Sequence, residues 1–199
     1  MRTSTAALVS AVLLAGLTAC SDSTASSAGS STPTSITGIK HAVLTSLLSP
    51  EVSTGHQDGF SYDARRVPQG AKTSVGTSVA NGRTTVGIEV AGLLPNTKYG
   101  SHVHTKPCGA KPADSGPHYQ NEKDPVTPST DPTYANAENE IWLDFTTDAQ
   151  GSATSTATVN WEFRKDEANS VVIHASHTST EHGKAGTAGE RVACLTGQF

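Results

Sequence analysis

Two histidines one residue apart, His102 and His104, lie in the run Gly100-Ser101-His102-Val103-His104-Thr105-Lys106-Pro107-Cys108. On a β-strand successive side chains point to opposite faces, so residues two apart share a face. The spacing therefore aims both imidazoles the same way, a few ångströms apart. Two neutral imidazoles converging on one point suit a copper or zinc ion. The same spacing also arises on a strand whose polar face simply carries two histidines. The metal reading needs further groups brought to the same place.

The elements that must position the pair read as short strands. His41 to Leu47 makes a first candidate, and 49–70 shows no clear pattern. Lys72 to Val79 is rich in Thr and Val and ends near Asn81-Gly82, a tight-turn dipeptide that leads into Thr84 to Val90. This predicts a hairpin with Val86, Ile88 and Val90 on one face. Gly92 to Asn96 turns the chain into the strand carrying His102 and His104. Periodicity is then lost from Gly109 to about Asn139, a stretch that holds five prolines around Ser115-Gly116-Pro117-His118-Tyr119. A loop of that length is uncommon in a compact domain unless it does something. Alternation returns in Ile141 to Phe145 and in Ala153 to Trp161. Ser170 to Ala175 is a β-branched run containing His174, and Arg191 to Leu195 closes the domain. Many short strands without helical periodicity predict an all-β antiparallel sandwich or barrel.

Composition agrees with a turn-rich β domain, since aromatics are only 5% and there are 18 Gly and 10 Pro among 199 residues. A net charge of −4 leaves no basic footprint for nucleic acid. Residues 1–19 read as an export signal, with Arg2 before an apolar stretch from Ala6 to Leu17 that is too short to span a bilayer. Leu17-Thr18-Ala19-Cys20 resembles a bacterial lipoprotein cleavage box, which predicts a lipid on Cys20, a flexible Ser/Thr-rich tether over 20–38 and a folded domain over 39–199. The expected location is the cell envelope outside the cytoplasm, with the lipid anchor as the sole membrane contact. If Cys20 carries lipid, Cys108 and Cys194 remain as a pair in a compartment that permits a disulfide.

Four segments resemble the copper/zinc superoxide dismutase family in the expected order: 92–108, 116–119, 171–174, and Gly186-Thr187-Ala188-Gly189-Glu190-Arg191-Val192-Ala193-Cys194. The likeness runs over roughly 40–199 and is stronger in the second half. It implies a Greek-key sandwich or barrel of about eight strands with long functional loops. Position by position, it implies that His102, His104, His118 and His174 bind copper, with His118 at the ligand shared by copper and zinc. It also implies that Arg191 steers and holds the anionic substrate, superoxide, and that Cys108 pairs with Cys194.

The sequence departs from that family at the zinc site. No histidine lies between His118 and His174, and the position of the family's zinc-binding aspartate falls near Asn139-Glu140-Ile141. One carboxylate with His118 is a poor zinc site, so the zinc site is not recognisable and copper is the expected cofactor. The far nitrogen of His118 then needs another partner, for which Asp114, Glu122, Asp124, Glu138 and Glu140 are candidates. The segment between His174 and Arg191 is shorter than the steering loop of typical members, which resembles copper-only members and leaves the copper more open. His41 and His56 read as surface residues, His177 and His182 as solvated loop residues, and Trp142 and Trp161 as packing residues. The expected activity is dismutation of superoxide at a single copper. A copper-buffering lipoprotein with little turnover is the alternative.

Overall fold

The computed structural model describes residues 41–46, 58–197 and 199, with 41–46 described as backbone only. The signal over 1–19, Cys20, the whole tether over 20–38 and His56 lie outside the described residues. Among the described residues nine strands form two antiparallel sheets: β1 (His41–Ser46), β2 (Gly59–Ser61), β3 (Lys72–Ala80), β4 (Arg83–Ala91), β5 (Lys98–His104), β6 (Phe145–Thr146), β7 (Ala153–Val159), β8 (Ser170–His174) and β9 (Arg191–Thr196). One sheet runs β1-β3-β4-β7 and the other β2-β9-β8-β5-β6. The chain crosses between them after β1, β2, β4, β6 and β7. The all-β sandwich expected from the pattern is the observed fold, with the two-residue β6 as its smallest piece.

Asn81 and Gly82 take φ of 53° and 73°, the left-handed pair that a two-residue hairpin requires. The turn sets Ala80 opposite Arg83, and hence Val75 opposite Ile88. Val86, Ile88 and Val90 then enter a core shared with Tyr99, Val103, Val171, Ile173 and Leu195 from the other sheet. In β7 the alternation is complete, with Thr154, Thr156 and Thr158 exposed and Val159 buried.

Two segments differ from the sequence reading. β2 lies inside the stretch that shows no pattern, because three residues are too few to display a period; pairing with β9 sets Phe60 opposite Cys194. Ile141 to Phe145 is not a continuous strand, since only Phe145 and Thr146 join the ladder. Its alternation survives without the ladder: Ile141 and Leu143 are fully buried in the core, while Trp142 faces the other way and bridges to His102.

The architecture places the histidines by simple parity. Tyr99 and Val103 of β5 face the core, so Gly100, His102 and His104 face outward from the five-stranded sheet. Val171 and Ile173 of β8 face the core, so Val172 and His174 face outward as well. The register sets Gly100 opposite His174 and His102 opposite Val172. Segments 109–144 and 175–190 cover this outer face, which is why every residue of β8 is buried. Gly100 is required by that cover. A methyl group there would stand 2.6 Å from Ala188 Cβ and 2.7 Å from the Ser176 carbonyl oxygen.

Candidate metal centre

The long irregular loop doubles back along the end of β5. Thr105 N–H donates to Pro117 O at 3.0 Å, Lys106 N–H to Ser115 O at 3.0 Å and Tyr119 N–H to Val103 O at 2.8 Å. His118 is thereby set against His104 in a single β-bridge. His102, His104, His118 and His174 each offer a ring nitrogen to one small volume, and these atoms all lie within 4.8 Å of one another.

Hydrogen bonding determines which nitrogen faces inward. His104 Nδ1 lies 2.9 Å from Gly116 O and His174 Nδ1 lies 3.2 Å from Gly189 O. A carbonyl oxygen only accepts, so both Nδ1 atoms carry the hydrogen and both Nε2 atoms carry a lone pair. His118 Nδ1 lies 2.8 Å from Glu140 Oε2 and donates to it in the same way. His102 is the inverse case. Its Nε2 is engaged by Thr178 Oγ1 at 2.7 Å, and its buried Nδ1 has no hydrogen-bond partner.

The lone pairs of His102 Nδ1, His104 Nε2 and His174 Nε2 therefore converge beside His118 Nε2, with no hydrogen of these three rings pointing among them. His104 Nε2 and His174 Nε2 stand 3.4 Å apart, and with both hydrogens on Nδ1 this contact is acceptor against acceptor rather than a hydrogen bond. A buried acceptor left unpaired costs about 1–3 kcal/mol, so the arrangement fits a cation. Protons are a poor substitute. Burial, reinforced by the neighbouring histidines, holds His102 and His104 well below the ordinary imidazole range. Burial also lowers His174 to about 3, with His118 adding to the shift. The three imidazoles are thus kept neutral, which is the form a metal needs.

Of the five acidic candidates for His118, the structure selects Glu140. That carboxylate is buried, 1% exposed, and its Oε2 also accepts from Trp142 Nε1 at 2.7 Å while Oε1 accepts from Gln120 Nε2 at 2.8 Å. Asp114 instead accepts from Lys111 N–H, and Asp124 from Val126 N–H and Ser129 Oγ. Trp142 corrects the sequence reading. It does not merely pack, because its indole holds Glu140 and its ring meets the edge of His102 at 6.1 Å. The i, i+2 spacing of Glu140 and Trp142 on an extended segment is the signal that could have paired them. Gln120, Asp144 and Thr178 carried no comparable signal.

His118, His174, Glu140 and Arg191 line one cleft of about 550 Å³, together with Gly186 to Gly189 and the segment around Thr127 to Ser129. Arg191 Nη1 donates to Pro112 O and to the buried Ser115 Oγ, both at 2.9 Å. The short 3-10 helix Pro112–Ser115 that anchors it packs against β9, the strand that the Cys108–Cys194 disulfide joins to the start of the loop across 86 positions of the chain. The expected cysteine pairing is the observed one. His177 and His182 are exposed loop residues outside the cluster, His177 Nε2 lying 3.1 Å from Phe145 O. Trp161 packs on Tyr119 and Phe163, and the side chain of His41 lies outside the described residues.

The copper/zinc superoxide dismutase family model matches residues 71–196, and the chain belongs to that family. Among solved structures, the Cu/Zn superoxide dismutase from Brucella abortus superposes with a TM-score of 0.50 at 17% identity, covering 78% of this chain and 99% of that one. A double mutant of a SOD-like protein from Bacillus subtilis gives a TM-score of 0.50 at 17% identity, covering 77% and 95% of the respective chains. At such identity the likeness is one of fold. No curated protein sequence matches the chain.

Proposed function

We propose that this protein is an exported, membrane-tethered superoxide dismutase working at a single copper ion. His102 would hold the ion through Nδ1, and His104, His118 and His174 through Nε2. The observation that carries this reading is the convergence of four imidazole nitrogens, from His102, His104, His118 and His174, on one small volume. Copper bound there supplies a one-electron couple, by which one superoxide is oxidised to O₂ and a second, with two protons, is reduced to hydrogen peroxide.

The chain's own residues do the rest. Arg191 is always charged and fork-shaped. Its Nη1 is fixed by Pro112 O and Ser115 Oγ, so its other donors can hold a small anion in the cleft beside His118 and His174. Glu140 keeps a hydrogen on His118 Nδ1, which orients the ring. Because Glu140 also receives Trp142 and Gln120, it does for His118 what a second metal would otherwise do, and we read the centre as copper without zinc. Residues 1–19, Cys20 and the tether over 20–38 supply export, a lipid anchor and reach, with the dismutase domain over 39–199.

The test is metal content and dismutation measured on one copper-loaded sample, beside His118→Ala and Arg191→Ala. One copper per chain, no zinc, and activity lost in both variants is expected. A wild type no faster than His118→Ala would overturn the catalytic reading. Mass spectrometry of the mature N-terminus tests the lipid on Cys20.

Copper buffering is the second reading, supported by the carboxylate that meets His118 where the family places zinc. It requires stoichiometric copper with negligible turnover. A rate constant near the diffusional limit of about 10⁹ M⁻¹s⁻¹ excludes it.

A further inference from the structure

We propose that Thr178 is the positioning residue that fixes the tautomer of His102, its hydroxyl relaying the carboxylate of Asp144 to the far side of the ring. Thr178 Oγ1 donates to Asp144 Oδ1 at 2.6 Å and lies 2.7 Å from His102 Nε2. The carboxylate itself is 3.9 Å from Nε2, beyond a direct hydrogen bond. A hydroxyl has one hydrogen and a carboxylate can only accept. The hydrogen of Thr178 is therefore spent on Asp144, its lone pair faces the imidazole, and His102 must carry its own hydrogen on Nε2. That leaves a lone pair on Nδ1, the buried atom without a partner.

Asp144 is itself held on three sides. Its Oδ2 accepts from Thr178 N–H at 2.7 Å, and its Oδ1 accepts from Ser101 N–H at 3.2 Å as well as from the hydroxyl. The relay thus ties β5, the segment after Trp142 and the 175–190 segment into one unit. The same segment returns Gly189 O to His174 Nδ1, so the short connection between β8 and β9 orients two of the four rings. His102 differs from His104 and His174, whose outer nitrogens meet neutral carbonyls. A hydroxyl already polarised by a carboxylate makes its ring a stronger donor, which favours the oxidised state of a copper ion bound there.

This inference rests on the copper reading, but its first test does not. In the metal-free full chain, ¹⁵N NMR of the histidines is expected to show His102 with its hydrogen on Nε2. Thr178→Val should lose that single tautomer and Thr178→Ser should keep it. With Cu(II) as the probe, Thr178→Val should bind ten- to a hundredfold more weakly in chelator competition, show an altered electron paramagnetic resonance spectrum and a raised reduction potential, and Thr178→Ser should restore all three. Should the Val variant fail to fold, Thr178→Ala carries the same measurements. A Val or Ala variant with the wild-type tautomer, affinity, spectrum and potential overturns the proposal. If wild type takes up no copper, the copper reading falls and the tautomer measurement decides the role of Thr178 alone.

Discussion

The metal centre joins two kinds of support. His102, His104 and His174 come from β5 and β8, where the ladder and the alternation of faces fix each ring. They are 0%, 0% and 5% exposed. His118 comes from a loop with no repeating pattern that meets β5 in a single bridge, its side chain is 19% exposed, and a buried carboxylate orients its ring. Arg191 resembles His118, because it is the first residue of β9 and depends on the 112–115 turn for its anchor. Strands supply a fixed, dry floor for the ion. Loops supply most of the groups that line the adjoining cleft, and His118 there needs a dedicated carboxylate to hold it.

This contrast can be broken from either side. The largest effect is expected at the floor. His104→Ala removes a buried imidazole, and copper affinity should fall by more than a hundredfold, a loss larger than that of an orienting partner, as read by chelator competition. Replacing both Cys108 and Cys194 by Ser releases a loop closure across 86 positions. Urea unfolding should show about 4 kcal/mol less stability.

Acid should act on the strand-borne floor of the site. In the metal-free protein the three floor histidines have folded-state values below their unfolded value. Their contribution to stability is therefore complete above pH ~6.5 and is lost as pH falls through the folded values, about 3 for His174. Each such histidine should cost ~1.4 kcal/mol per pH unit within that window. Unfolding of the metal-free chain between pH 4 and 7 checks the slope, and a flat profile would contradict it.

On the loop side, Glu140→Gln leaves the fold intact while loosening His118. Copper affinity should drop about tenfold to a hundredfold, less than for His104→Ala. The smallest effect belongs to His177→Ala and His182→Ala, exposed and outside the cluster, where stability should change by no more than about 0.5 kcal/mol with copper content unaltered.

The same division separates what was legible in the sequence from what was not. Alternation alone aims His102 and His104 together, and Asn81-Gly82 alone specifies the β3–β4 hairpin, because parity and turn conformation are local properties. Family resemblance supplied His118, His174, Arg191 and the cysteine pair as a set, and the structure brings the four histidines into one cluster with Arg191 in the adjoining cleft. Five carboxylates were equal candidates for His118 on sequence grounds, and Trp142 read as packing. Tertiary structure chose Glu140 and joined Trp142 to it, since that choice depends on where a patternless loop lands on the outer face of a distant sheet. Thr178 and Asp144 are 34 positions apart, and neither has a local pattern that points to the other. Their meeting at His102 is decided by two loops crossing over one strand, a long-range outcome that no short window of the sequence contains.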